Sequence, residues 1–446
     1  MVANAFAGLG FTPEAPTVTE FPIEMFVPGS DLSPLEQNID KVVYGLSQWQ
    51  PGAKKQAAGA KEQLEAGGRD YEEASSRLNQ LFLRKGWGDG LPLLPPTEER
   101  VSWILSGTDL PRDRIIGKIL PQGRIATVET LAINLAMAGG RPEYLPVLIA
   151  AIEGIIDPAV VHQSFNATTC SIFPAMIVNG PVARQIRLNS GYGCLGPSSR
   201  FPAGGSIGRA VRLLLVNVGG AVPGLGSMSI FGGAGKYTNV VFAEDEEGLP
   251  EGWEPLSASY FGYSRGSNTV AVHPVSSCVN VGDTSIGSAE TVPSTLHSFA
   301  ANMRLPNMNY WLRSVARPEG TPGIVVMARG TARGLARFGW TREKVQAFLW
   351  EHSKVPWQVL QQVGADTLES RVAAHKYLAM GVPWPVTERP EDIMIVVAGG
   401  QQSGHGYWMQ NGPSFKPVCK EIRLPPNWDS LLKQAEEDLG PVPGWL

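Results

Sequence analysis

The chain has 446 residues, of which 43% are hydrophobic and 17% are charged, so it is long enough for two or three globular domains and too apolar for a disordered protein. Lys and Arg number 37 against 41 Asp and Glu, and this balance provides no positive field that would attract nucleic acid or an anionic membrane. The four cysteines are far apart and form no Cys-x-x-Cys pair, which argues against a disulfide scaffold or a zinc knuckle and favours a reducing cytoplasm.

Residues 1–80 are predicted to form an N-terminal extension of helical and linker character. The opening residues lack the basic and apolar regions of a signal peptide. A helical pattern begins at Ser33 and Pro34, and the segment after it is rich in Ala, Glu, Lys and Gln. Because this extension has no apolar core of its own, we expect it to pack on a neighbouring chain, which predicts an oligomer.

Residues 81–262 are predicted to form a first α/β half. A Gly-Asp-Gly turn followed by several prolines holds Asp89 on a rigid loop. Two apolar helices come next, and the segment "PAMIVNGP" is typical of a short buried strand. A helix with Ser206 as its N-cap follows, and a last strand ends in the acidic run 244–247. This run is most simply an exposed edge, although Glu244 could point inward.

Residues 263–446 are predicted to form a second α/β half that repeats the order of the first. In this comparison Ala332-Arg333 takes the place of Ala183-Arg184 at the start of a helix. The recurrence of strand, turn, helix and helix predicts a duplicated α/β body with a cleft between its halves. The strand "DIMIVV" runs into a glycine-rich loop that contains His405, and α/β proteins bind ligands at such carboxyl ends of strands.

Cys170 is the first candidate for chemistry, because it follows a polar Asn-Ala-Thr-Thr turn. The hydroxyls of Thr168 and Thr169 and free backbone N–H groups could stabilise a thiolate or hold a substrate oxyanion. The alternative is that the thiol only fills space ahead of the buried strand. His162 precedes the cysteine closely enough for a base and a thiol to meet across a turn.

Further polar residues complete the predicted site. His405 is a candidate general acid or base, unless its glycine loop is a plain turn. Lys236 follows a glycine run that lacks the Walker spacing, and it could hold a substrate carboxylate or lie in a solvated turn. Asn179 is a predicted orienting donor, and Asp89 is a predicted substrate contact.

Several stretches together resemble the large domain of the bacterial UGSC-family (seleno)proteins. They are "DGLPLLPPTEERV", "AINLAMAGGRPEYLPVLIAAI", "ATTCSIFPAMIVNGP", "GKYT", "AEDEE" and "IMIVVAGG". The family name refers to a Sec/Cys-Gly-Ser-Cys motif on a small domain, so the resemblance implies thiol or selenol redox chemistry on a small molecule. This chain contains no such motif, which implies a small Cys- or Sec-containing redox subunit as a possible partner. The family commonly has histidine where this chain has Cys170.

The sequence therefore predicts a cytoplasmic enzyme that acts on a small polar molecule by thiol-dependent redox chemistry or carbon–heteroatom bond cleavage. A metal-dependent hydrolase or hydratase, with Cys170 and distant histidines as ligands, is one alternative. A non-catalytic large subunit for a small redox-active partner is the other. No cofactor motif is convincing, and neither nucleic acid nor a membrane is an expected partner.

Overall fold

The computed structural model describes residues 29–49, 63–282, 285–304, 323–356, 383, 385–387, 389–412 and 415–444. Its strands are β1 Ile115–Ile119, β2 Arg124–Thr127, β3 Phe173–Asn179, β4 Val240–Ala243, β5 Thr269–Gly282, β6 Gly323–Met327, β7 Met394–Val397, β8 His405–Asn411 and β9 Val418–Glu421. Its α-helices are α1 Ser33–Gln37, α2 Ile39–Ser47, α3 Tyr71–Lys85, α4 Glu98–Leu105, α5 Val128–Met137, α6 Leu145–Ile155, α7 His162–Ala167, α8 Pro181–Gln185, α9 Ala203–Asn217, α10 Leu256–Ser259, α11 Val292–Arg304, α12 Arg329–Arg337, α13 Arg342–His352 and α14 Trp428–Leu439. The predicted α/β class is confirmed.

The main sheet is mixed and runs in the order β4-β3-β5-β8-β6-β7, while β9 also pairs with β5. The β3–β4 and β6–β7 pairs are parallel, and the β3–β5, β5–β8 and β6–β8 pairs are antiparallel. Among the described residues, the order of strand, two helices, parallel strand and antiparallel strand thus occurs twice, first from β3 to β5 and then from β6 to β8. The order of elements in the predicted duplication is present in the topology.

Strand β5 joins the two halves of the sheet. Its first part, Thr269–Val275, pairs with β3, and its second part, from Val275 to Gly282, pairs with β8. The predicted boundary between residues 262 and 263 therefore lies shortly before a strand that serves both halves. The predicted boundary after residue 80 lies inside α3, and Phe82 on that helix packs with Leu93, Met137 and Leu213.

The sheet is buried on both faces, which explains the continuous apolar runs of its strands. Alternate residues of β3 show this arrangement, because Met176 and Val178 pack outward against the helices of the first half while Ala175 and Ile177 face the inner side of the sheet. Helices α11, α12 and α13 cover the outer face of the second half.

The sheet curls until its two outer strands meet at their carboxyl ends. The Asp245 N–H, just after β4, donates to the Val397 carbonyl at the end of β7 over 2.8 Å. Arg329, just after β6, forms an ion pair with the same Asp245. The carboxyl ends of all four parallel strands are thereby gathered at one end of the curled sheet.

Two local predictions are wrong. Helix α9 begins at Ala203, so Ser206 lies in its first turn and is not its N-cap. His405 is the first residue of β8 and not part of the loop before it. None of the described helices is long and apolar enough to cross a bilayer.

Candidate functional site

Cys170 lies in the short connection between α7 and β3, at the amino end of that strand. Its side chain is half-buried. The Cys170 N–H donates to the Thr168 hydroxyl over 3.1 Å, so it is not available to bind a substrate oxyanion. The Thr169 hydroxyl lies 3.9 Å from the sulfur, within hydrogen-bonding distance for a thiol. Thr169 is therefore the threonine that contacts the thiol, while Thr168 fixes the backbone.

A glycine-rich loop between α9 and β4 covers the cysteine. The Met228 N–H donates to the Ala167 carbonyl over 3.1 Å, and the Ile230 N–H donates to the Thr169 carbonyl over 3.0 Å. The Ser229 hydroxyl donates to the Cys170 carbonyl over 3.2 Å. These contacts fix the loop against the cysteine segment, and they bring the residues that follow, up to β4, to the amino end of β3.

Lys236 from this loop lies close to the thiol, and Arg212 from α9 lies close to Lys236. Burial lowers the pKa of Lys236 to about 8, the Arg212 cation acts in the same direction, and the Cys170 side chain opposes them. Burial also lowers the pKa of Arg212, and the Asp89 carboxylate opposes that shift. Neither cationic side chain forms an ion pair or hydrogen bond with the described residues. Two partly desolvated cations that repel each other favour an anion between them.

Asp89 lies at the same end of the molecule but is already bound. Both of its carboxylate oxygens accept hydrogen bonds from Arg209 of α9, over 2.8 and 3.0 Å. Burial raises the pKa of Asp89, but the Arg209 guanidinium outweighs this and holds the pKa below its usual range. In this structure Asp89 anchors α9, which also carries Arg212, and it does not present a free carboxylate.

His162 faces the β1–β2 hairpin. Its Nε2 accepts a hydrogen bond from the Leu120 N–H over 3.1 Å. Burial lowers the pKa of His162 to about 4, although a hydrogen bond with the Lys118 backbone opposes the shift. The imidazole is therefore neutral near pH 7 and bonded to the backbone of the hairpin, a placement that favours a structural role.

Asn179 and His405 do not lie near the thiol. Asn179 is the last residue of β3, whereas Cys170 precedes its first residue; the six steps between the strand's ends span about 20 Å. His405 pairs with Gly282 at the far end of β5, and its N–H and carbonyl bond the Thr331 hydroxyl of α12. Of the predicted residues, Lys236 therefore lies near the thiol, whereas Asn179 and His405 lie at the other end of the sheet.

A second polar cluster surrounds Asn179. Glu244 and Asp245 are 4% and 3% exposed, so the prediction of an exposed acidic edge is wrong for Asp245, whereas Glu244 is buried as the alternative prediction allowed. The Asn179 Nδ2 donates to Glu244 over 2.8 Å and to Glu246 over 2.9 Å. Burial raises the pKa of Glu244 to about 6, against the opposing effects of Arg342 and of hydrogen bonds from Asn179 and the Leu256 N–H.

Sequence reasoning missed Arg212 and Arg209. These two arginines are three positions apart in an otherwise apolar helix, so they lie on one face of it. That spacing could have indicated a polar site on this face. As to metals, no three His, Cys, Asp or Glu side chains of the described residues converge as a ligand set.

Comparison with known proteins identifies no family for this chain. No family model matches it, and no solved structure matches it. A stretch of 53 residues is 47% identical to a uracil-DNA glycosylase of Amoebophilus asiaticus; it covers 12% of this chain and 24% of that protein. The chain thus spans about a quarter of the curated relative's length.

Proposed function

We propose that this protein is an enzyme in which the Cys170 thiolate acts on a small molecule whose anionic group is bound by Lys236 and Arg212. The supporting observation is that Lys236 lies beside the thiol and Arg212 lies beside Lys236, while neither side chain forms an ion pair with the described residues. Two partly buried cations without an anion lower the stability of the folded protein. Such a cost is typical of a site that binds an anionic ligand.

The chemistry that these residues support best is cleavage of a carbon–heteroatom bond. The Cys170 sulfur forms a bond to carbon while the carbon–heteroatom bond breaks and the leaving group departs with its electron pair. Lys236, whose pKa is lowered to about 8, is suited to bind the anion as an ammonium and to donate a proton to the leaving group. The Thr169 hydroxyl orients the sulfur.

Alkylation of the thiol tests this proposal without knowledge of the substrate. Iodoacetate and iodoacetamide both react by transferring their CH₂ carbon to the thiolate with loss of iodide, but only iodoacetate carries a carboxylate. We expect the ratio of the iodoacetate rate to the iodoacetamide rate, mapped by mass spectrometry, to be higher at Cys170 than at the exposed Cys278. Equal ratios at the two cysteines would refute the anion site.

Variants of the full chain sharpen the test. Lys236→Met removes one cation and is expected to lower the rate ratio at Cys170 about tenfold, the effect of one lost charge interaction. Lys433→Met removes an exposed lysine of α14 and is the control for net charge. A similar decrease in both variants would show that the preference for iodoacetate reflects the charge of the whole protein.

A large subunit that docks a small redox-active partner is the second candidate function. It is favoured by the loop that covers Cys170, where Phe231 is 91% exposed and Leu225 and Ile230 are 65% and 69% exposed. Apolar side chains exposed together beside a thiol fit a docking surface. Under this proposal, the Cys170→Ser variant still forms a complex with a Cys-Gly-Ser-Cys protein, whereas the Phe231→Ser variant does not. If neither variant formed the complex, this candidate function would be excluded.

A further inference from the structure

Two histidines lie side by side on helices that cover the outer face of the second half of the sheet. His297 belongs to α11, and His352 is the last residue of α13. Their ring centroids are 4.5 Å apart. His297 is exposed and His352 is half-buried, so a dissolved ion can reach the pair from solvent.

The ring of Phe348 supports both imidazoles. Phe348 precedes His352 by four positions on α13, so the two side chains lie on one face of that helix. Its centroid is 4.1 Å from that of His352 and 5.0 Å from that of His297. Trp340 packs in turn on Phe348, with centroids 5.5 Å apart. Side chains that are fixed by such packing can hold a binding site in a defined geometry.

The nitrogens of both imidazoles are available for a ligand. Among the described residues, neither ring donates or accepts a hydrogen bond, and neither forms an ion pair. The neighbouring side chains Glu351 and Lys354 form an ion pair with each other. A neutral imidazole has one nitrogen that accepts and can bind a metal. The pair can therefore offer two nitrogen ligands.

The separation of the two rings fits one shared metal ion. A transition metal binds an imidazole nitrogen at about 2.1 Å, which places the ion about 3.2 Å from the ring centroid. Two imidazoles at neighbouring positions of a tetrahedral or octahedral ion then have centroids about 4.5–5.2 Å apart. The observed separation of 4.5 Å lies in this range.

Two imidazoles also define the class of metal. Imidazole suits Zn²⁺, Cu²⁺ and Ni²⁺, whereas Mg²⁺ and Ca²⁺ prefer oxygen ligands. Within the described part of the chain, no third His, Cys, Asp or Glu completes a ligand set here. The other coordination positions are left to water or to a small ligand. We therefore expect weaker binding than at a structural zinc site with four protein ligands.

We propose that His297 and His352 together bind one divalent transition-metal ion, which joins α11 to α13 on the outer face of the second half. Phe348 is a positioning residue for the two rings. The ion requires the folded arrangement of both helices, so its binding stabilises the protein against unfolding. The site does not include Cys170, and either proposal can fail without the other.

Calorimetric titration of the full chain, without a polyhistidine tag, tests the proposal with Ni²⁺ as the probe. We expect a saturable site for one Ni²⁺ per chain and no binding of Mg²⁺ there. His297→Gln and His352→Gln should each weaken Ni²⁺ binding at least about tenfold, equivalent to about 1.4 kcal/mol. His405→Gln removes an exposed histidine elsewhere and is the matched control, with the affinity of the wild type.

The double variant His297→Gln/His352→Gln shows whether one ion is shared. If the ion is shared, the double variant loses little more affinity than either single variant. Losses that add would show two separate contacts and would overturn the proposal. Equal losses in His297→Gln and His405→Gln, or no saturable Ni²⁺ binding by the wild type, would also overturn it.

Thermal denaturation provides a second measurement. Saturating Ni²⁺ should raise the unfolding midpoint of the wild type and leave that of the double variant unchanged. An equal increase in both would place the ion at another site. Without metal, the unfolding midpoints of all variants should match that of the wild type, because the substituted side chains lie at the surface.

Discussion

Arg329 and Asp245 join the carboxyl ends of β6 and β4, and with them the two halves of the sheet. The guanidinium contacts both carboxylate oxygens, one of them over 2.6 Å, and the two side chains are 13% and 3% exposed. The Gly248 N–H also donates to this carboxylate. The contact closes the curl of the sheet at the carboxyl ends of β4, β6 and β7.

Replacement of Arg329 by Met should destabilise the protein strongly. It leaves Asp245 buried without its cation, and breaking such a pair typically costs about 3 kcal/mol or more of unfolding free energy. Arg184→Met is the matched control, because the Arg184–Glu247 pair is 53% and 65% exposed and should contribute less than about 1 kcal/mol. Urea denaturation measures both. Similar losses in the two variants would contradict the importance assigned to the buried pair.

His273 should make the protein sensitive to acid. It is 1% exposed, neither ring nitrogen has a hydrogen-bond partner among the described residues, and burial lowers its pKa to about 3. The imidazole of the unfolded chain binds a proton near pH 6.5, whereas the buried imidazole of the folded chain does not. Acid therefore favours the unfolded chain, and the free energy of unfolding decreases as the pH falls below about 6.5.

His273→Phe tests this linkage by comparing urea denaturation at neutral pH and near pH 5. The wild type should lose about 2 kcal/mol more than the variant over this interval. His405→Phe, at an exposed histidine, controls for loss of an imidazole. If His273→Phe and the wild type lose the same stability, the buried imidazole is not the source of the acid sensitivity.

Two glycines of α9 should respond oppositely to alanine. A Cβ at Gly208 would lie 1.9 Å from the Thr238 carbonyl oxygen, whereas a Cβ at Gly205 would meet only Pro197, at 3.9 Å. Gly208→Ala should therefore destabilise the protein by about 1–3 kcal/mol. Gly205→Ala should stabilise the helix by roughly 0.5–1 kcal/mol. Thermal denaturation of both variants tests this prediction. If Gly208→Ala stabilised the protein, the close approach of α9 to β4 would be contradicted.

The Gly208 contact also matters for the thiol site, since α9 carries Arg212 and the chain after Thr238 enters β4. We expect Gly208→Ala to move the helix away from the loop that holds Lys236, and the ratio of iodoacetate to iodoacetamide reactivity at Cys170 should fall with it. Gly205→Ala should leave that ratio unchanged.

The sequence by itself determined the α/β class, the buried strands and the repeated order of their elements. Continuous apolar runs such as that of β3 are buried on both faces. It also indicated Cys170 and Lys236 as candidate residues, because Cys170 follows a polar turn and Lys236 follows a glycine run.

Only the tertiary structure decided which polar groups meet. Asn179 follows Cys170 by nine positions in the sequence but lies at the opposite end of β3, because an extended strand carries its ends apart. Arg212 joins Lys236 because α9 packs on β4, and Glu244 and Asp245 are buried because the sheet curls until β4 meets β7. These are contacts between residues distant in sequence, and the packing of helices and the curvature of a sheet are not encoded in any local pattern.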